Sequence, residues 1–214
     1  REVNGFPDEL RVDGRIDLDS VATWDWMRGK YRRLFDLVPE MTGVMLTLRE
    51  SNVPVQDSNQ VKSTMSESER VAKVVSTIWE VCSERGKKLY VRDFSIAPDE
   101  MRNIVDAVNL MPKAVGAMSK SVARDWHPYL PDNPAFGMYP GRDQIAEFDL
   151  AAEYNGQTTI PYVIAGEIER RWANAKSKGA VGAVGRIDRF DAHALDTIDE
   201  ANLHVFTDIV RDGT

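Results

Sequence analysis

A lysine and two carboxylates carry the chemistry that can be read from this chain. Lys120 stands five residues before Asp125, and Glu153 closes the strand-like run QIAEFDLAAEY. A cation and two carboxylates delivered to the ends of successive elements suit proton transfer on an acidic or polyhydroxylated molecule. Glu50 ends another apolar run, GVMLTLRE, where a charge is costly unless it has a partner or a task. It reads either as an acid group or as a solvated residue opening the long loop that follows. Alternation places Glu147, Asp149 and Glu153 at related phases of one strand or its exit, and one of the three is expected to be a salt-bridge partner. Asp125 precedes Trp126, an aromatic face available for stacking, although Asp ahead of an irregular loop is also ordinary turn chemistry. His127, next in the chain, is placed to contact whatever binds there.

The elements that must position these groups alternate in type. SVATWDWMRGKYRRLFDLV has helical spacing and is punctuated by Pro39 and Gly43. The strand GVMLTLRES follows, then a polar loop of about fifteen residues and the helix SESERVAKVVSTIWEVCSERG. Ser66 with Glu69 forms a capping box there, and Gly86 stops the run. KKLYVRDFSI is a strand, and APDEMRNIVDAVNLMP is a helix with Pro98 near its start. KAVGAMSKS, QIAEFDLAAEY and AVGAVGRIDRF read as strands. IPYVIAGEIERRWANAKSKG and HALDTIDEANLHVFTDIV read as the helices that follow the last two.

Strands alternating with helices of this length specify βα units and a parallel sheet. No GxGxxG or GxxxxGK[ST] opens any helix, which disfavours a doubly wound nucleotide-binding fold. Ionisable residues gather at the C-terminal ends of strands instead: Glu50, Arg92, Lys120, Glu153 and Arg186. That edge carries the active site of a (β/α)8 TIM barrel. Five strands cannot close such a barrel. Residues 1–214 are therefore read as part of a single (β/α)8 domain, roughly its last five βα units, with REVNGFPDEL as the loop leaving the third strand. Such a piece would leave sheet edges open and is expected to need the missing N-terminal strands.

Composition narrows the partners. A formal charge of −7 and a pI near 5.1 argue against nonspecific nucleic-acid binding. No apolar run reaches membrane-spanning length. The single Cys82 excludes an internal disulfide, and its place in a periodic helix marks it as structural. His127, His193 and His204 lack metal-ligand spacing, so neither a metal nor a cofactor is expected. Arg170 and Arg171 read as a solvated helix face. Trp24 and Trp26 lie two apart in the first helix and so not on one face, and one of them is expected to pack on the sheet; Trp79 and Trp172 read as packing residues.

The segment from Lys120 to Gln157 resembles glycoside hydrolase family 67, the α-glucuronidases. That family carries K-x-x-x-x-D, an element like P-L-F-G, then E-F-Q and Q-E-Y-x-G-Q. Here K120-S-V-A-R-D125, N133-P-A-F-G137 and E147-F-D-L-A-A-E153-Y-N-G-Q157 stand in that order, with Asp125 and Glu153 at the family's separation. R92-D-F94 is similar to the family's R-x-F, and Glu50 falls in the strand that carries its general acid.

The resemblance implies an inverting glycosidase acting on an acidic glycan or oligosaccharide. Glu50 would protonate the leaving oxygen, and Asp125 and Glu153 would activate water on the opposite face. Arg92 and Lys120 would bind the uronic acid carboxylate, with Trp126 and His127 also contacting substrate. Three departures stand against the pattern. Leu46 replaces a second family lysine, Asp149 replaces the Gln of E-F-Q, and the loop after Asp125 is rewritten as WHPYLPD. A barrel glycosidase of other specificity and a non-catalytic carbohydrate-binding barrel are the alternatives.

Overall fold

The computed structural model describes residues 5–48, 55–94, 98–189 and 192–212. After a short 3-10 helix at Asp8–Leu10 come β1 (Arg11–Val12), β2 (Arg15–Asp17), α1 (Val21–Leu37), β3 (Gly43–Thr47), β4 (Val61–Lys62) and α2 (Glu67–Glu84). They are followed by β5 (Lys88–Arg92), α3 (Pro98–Asn109), β6 (Val115–Lys120), β7 (Gln144–Asp149), α4 (Ala165–Ser177) and β8 (Ala180–Arg186). A hairpin of β9 (Asp188–Arg189) and β10 (Ala192–His193) precedes α5 (Glu200–Asp212). The fold is α/β. Its main sheet has five strands in the order β3-β5-β6-β7-β8, with β3 pairing parallel to β5 and β7 parallel to β8. The expected alternation and parallel sheet are present, and the sheet is not a closed barrel.

The chain divides into two compact units, Arg1–Ala117 with Tyr139–Arg142 and Met118–Met138 with Asp143–Thr214. In the first, α2 packs against α1, α3 and β5. Its apolar stripe, Val71, Val74, Val75, Ile78, Val81 and Cys82, recurs at helical spacing and is fully buried. The expected capping box is formed: the Glu69 amide donates to the Ser66 hydroxyl, and the Ser66 amide donates to the Glu69 carboxylate. Burial pushes the Cys82 thiol up to about 11, which keeps it protonated and unreactive. On the outer face Arg28, Arg32 and Asp36 of α1 pair with Glu80 and Glu84 of α2 and the adjoining Arg85. Several short strands were not legible in the sequence, β1, β2, β4 and β10 among them. The long loop before α2 contains β4, which joins β1 and β2 in a separate three-stranded sheet.

In the second unit α4 and α5 cover β7 and β8. Ala146, Phe148 and Leu150 pack with Ile168, Trp172 and Phe206. Gly185 lies at this contact, and a Cβ there would come 2.5 Å from a Leu150 methyl group, which would have to shift. Asn202, fully buried at the start of α5, accepts from the Ile164 amide and donates to the Tyr162 carbonyl. Those bonds fix the approach to α4. Two boundaries differ from expectation. β7 ends at Asp149 rather than running on to Tyr154, and α5 begins at Glu200, seven residues beyond His193. No helix among the described residues is long and apolar enough to cross a membrane.

Arg142 finishes α3 from a distance in sequence. Its guanidinium donates to the carbonyls of Asn109 (3.0 Å), Met111 (2.6 Å), Pro112 (2.6 Å) and Val115 (3.1 Å). It thereby satisfies helix-end acceptors that would otherwise lack partners. Arg142→Met is expected to destabilise the first unit by about 3 kcal/mol, since several charge-assisted bonds are lost at one buried place. Urea denaturation of the variant and the unaltered chain measures it.

Candidate functional site

Arg92, Lys120, Asp149 and Arg186 are the last residues of β5, β6, β7 and β8. Strand ends therefore deliver charge, as the sequence implied, and the exit turns deliver the remaining carboxylates. Both turns begin with backbone strain. Arg124 (φ 62°) precedes Asp125, and Ala152 (φ 52°) precedes Glu153. Neither is glycine, so each left-handed residue costs on the order of 1–2 kcal/mol and needs the surrounding structure to hold it.

Asp125 is held on both oxygens. Oδ1 accepts from the Lys120 ammonium in a short ion pair and from the Trp126 amide at 3.0 Å. Oδ2 accepts the Tyr154 hydroxyl at 2.6 Å. Burial opposes its ionisation, yet the hydrogen bonds from Lys120 and Tyr154 and the charge of Lys120 hold the carboxyl below the usual range. The Tyr154 ring stacks on exposed His127 with centroids 4.1 Å apart.

Glu153 is organised through Asp149. One Asp149 oxygen accepts the Glu153 amide at 2.8 Å, and the other accepts the Ala151 amide at 3.2 Å. Arg186, which is the register partner of Asp149, donates to it at 3.1 Å and makes a short ion pair with Glu153. Burial works against the Arg186 charge, and the two carboxylates overcome it, so its pKa is raised. Gln157 donates to the Glu153 carbonyl, and Gly156 (φ 97°) is obligatory because a Cβ would meet Ile160 at 2.6 Å.

Trp126 lies between these two arrangements. Its ring is 4.4 Å from the Lys120 nitrogen and 5.5 Å from the Arg186 guanidinium. The residue is 5% exposed. Its π system is engaged by two cations, not offered to solvent for stacking as the sequence suggested. Lys120, 2% exposed, likewise serves Asp125 in this geometry. Arg92 is buried with its guanidinium 5.0 Å from the Phe94 ring, and the adjacent Asp93 accepts from Tyr139. Glu50 lies outside the described residues.

The loop carrying Asp125 is anchored to α4. Arg171 is buried and pairs with Asp132 and Glu167 while donating to the carbonyls of Leu130 and Pro128. The expected solvated face thus applies to Arg170 alone. The N133-P-A-F-G137 element is tied to β7 through Gln144, which donates to Ser119 Oγ and the Ala135 carbonyl and accepts the Gly137 amide. Sequence reasoning had named Arg186 only as a strand-end charge and had not singled out Tyr154. The signal for Tyr154 was its place directly after Glu153 in the motif.

No protein-family model matches the chain, and no curated protein matches it.

Two measurements follow from this geometry. The folded Asp125 carboxyl lies below its unfolded range near 4, so its pairing stabilises the chain above about pH 4 and is lost as pH falls through the folded value. Asp125→Asn is therefore expected to lose less stability than the unaltered chain between about pH 5 and about pH 2, read from urea midpoints across that range. Arg124→Gly, which relieves the left-handed strain at an exposed position, is expected to raise stability by about 0.5–1 kcal/mol in the same assay.

Proposed function

We propose that this chain is part of the (β/α)8 catalytic domain of an inverting glycoside hydrolase of the α-glucuronidase type. It would remove an acidic sugar side group from an oligosaccharide or polysaccharide. The observation that carries the reading is the pair of carboxylates in the exit turns of neighbouring strands β6 and β7. Asp125 and Glu153 are each ion-paired to a strand-end cation and each preceded by a left-handed residue. Strain and paired charge at adjacent strand ends are the kind of preorganisation a reactive centre needs.

In the proposed reaction Glu50 gives its proton to the glycosidic oxygen as the bond to the anomeric carbon breaks. Water adds from the opposite face and passes its proton to the Asp125 and Glu153 side of the site. Arg92 offers a planar fork for the substrate's carboxylate. Lys120 contributes by keeping Asp125 ionised. The parallel sheet and the gathering of charge at its C-terminal edge support a barrel as the parent fold.

The test is hydrolysis of an oligosaccharide bearing an α-linked glucuronic acid, followed by proton NMR from the first turnover. Free glucuronic acid appearing as the β anomer is expected, with mutarotation only later. Asp125→Asn and Glu50→Gln should each lower kcat by about 10²–10⁴-fold. Release as the α anomer would point to a retaining enzyme, and binding without release to a carbohydrate-binding protein.

A further inference from the structure

An indole N–H can only donate, so a buried one needs an acceptor beside it. Trp126 is 5% exposed, and its Nε1 is buried without a protein partner. Lys120 and Arg186 lie against the same ring, so turning the indole to bring its N–H to solvent would give up both contacts. Arg186 Nε is a second buried donor without a partner. This part of the second unit is short of acceptors.

Trp126 also lines a cavity of about 40 Å³ that lies wholly within the second unit, between the ends of β6 and β7 and α4. Its polar wall is Ser121, Asp149, Tyr162, Glu167 and Arg171, while Phe148 and Ile168 belong to the apolar remainder. Cavities that stay dry are apolar throughout, and this one is not. We infer that it is a buried hydration site, in which about one or two water molecules accept the Trp126 N–H and bond to the polar wall. The site goes beyond the glycosidase reading and stands whatever the chain acts on.

Size and charge select the occupant. A water needs roughly 10–15 Å³ of such space, so the cavity admits water and excludes a sugar ring. Asp149 and Glu167 would repel an anion, whereas Arg171 and the indole N–H disfavour a metal ion. A neutral molecule that both donates and accepts satisfies all of them. Asp149 Oδ2 accepts the Glu153 amide and keeps a second lone pair, to which water can donate. Ser121 offers a hydroxyl that serves either way. Burial, with Asp149 and Glu167 nearby, pushes the Tyr162 phenol up, which keeps its proton in place for donation. The water thus holds the edge of an indole whose ring packs on Lys120 and Arg186, the cations that serve Asp125, Asp149 and Glu153.

A crystal structure of the unaltered protein tests this directly. A water oxygen is expected within about 3.2 Å of Trp126 Nε1 and within reach of at least one other polar group of the wall. Oxygen-17 relaxation dispersion counts, in solution, the waters held longer than the protein tumbles. Trp126→Phe deletes the N–H and keeps an aromatic ring, and it should lower that count by about one or two. No density beside Nε1, an ion in its place, or an indole turned onto a protein acceptor overturns the inference. So does a folded Trp126→Phe variant whose count is unchanged. Should that variant fail to fold, the crystal structure and the count in the unaltered protein still decide, because a count of zero excludes the site.

Discussion

Charge taken out of water has to find an opposite charge, and the second unit is arranged around that requirement. Arg186 answers Asp149 and Glu153, and Lys120 answers Asp125. Removing one member of such a buried set typically costs about 3–5 kcal/mol, because the remaining charge is left uncompensated. The ends of β6, β7 and β8 are therefore held at their charged side chains as well as by their ladders. Trp126 lies against both cations, so the two ion-paired groups are packed on a common aromatic body. The order of the exit turns follows from this, since Asp149 also binds the amides that shape the turn to Glu153.

The strained residues make sense only against that background. Arg124 and Ala152 would relax to ordinary backbone angles in a free loop. Each is kept left-handed by what comes next in the chain, Asp125 on Lys120 and Glu153 on Arg186. Behind the first turn, Val122 bridges Asp132, and Asp132 is clamped by Arg171 of α4. The helix layer thus contributes to the geometry of the strand-end carboxylates, through a residue that looks like surface charge in the sequence. Packing of Phe148 and Leu150 beneath the same strand supplies the rigid base, with small residues such as Gly185 admitting the larger ones.

Much of this was legible in the chain and some was not, for physical reasons. Helical spacing, the Ser66–Glu69 box and the βα alternation specified the elements and the parallel sheet, because each is a local signal. Lys120 and Asp125 were singled out by spacing and do meet. The end of β7 was misread because Leu150, Ala151 and Ala152 continue an apolar run while the chain has already turned. Nothing in the identity of Ala152 or Arg124 announces a positive φ. The burial of Trp126 was equally silent, since an aromatic beside an Asp looks the same whether it faces solvent or two cations. β4 is a two-residue strand whose pairing with β2 is entirely tertiary.

The same geometry reassigns one charge in the proposed reaction. Lys120 is expected from the motif to receive the substrate's carboxylate, yet it is nearly inaccessible and already bound to Asp125. A second anion brought to that ammonium would compete with Asp125 for it and would drive the proposed base toward protonation, which is the wrong direction for accepting a proton from water. Asp149 in place of the family's Gln adds a further carboxylate at the neighbouring strand end, on a guanidinium that also serves Glu153. Two cations thus answer three carboxylates at the ends of β6, β7 and β8. Lys120 and Arg186 therefore serve the ionised groups of the second unit, and in the proposed reaction Lys120 keeps Asp125 ionised in place of holding the substrate's carboxylate.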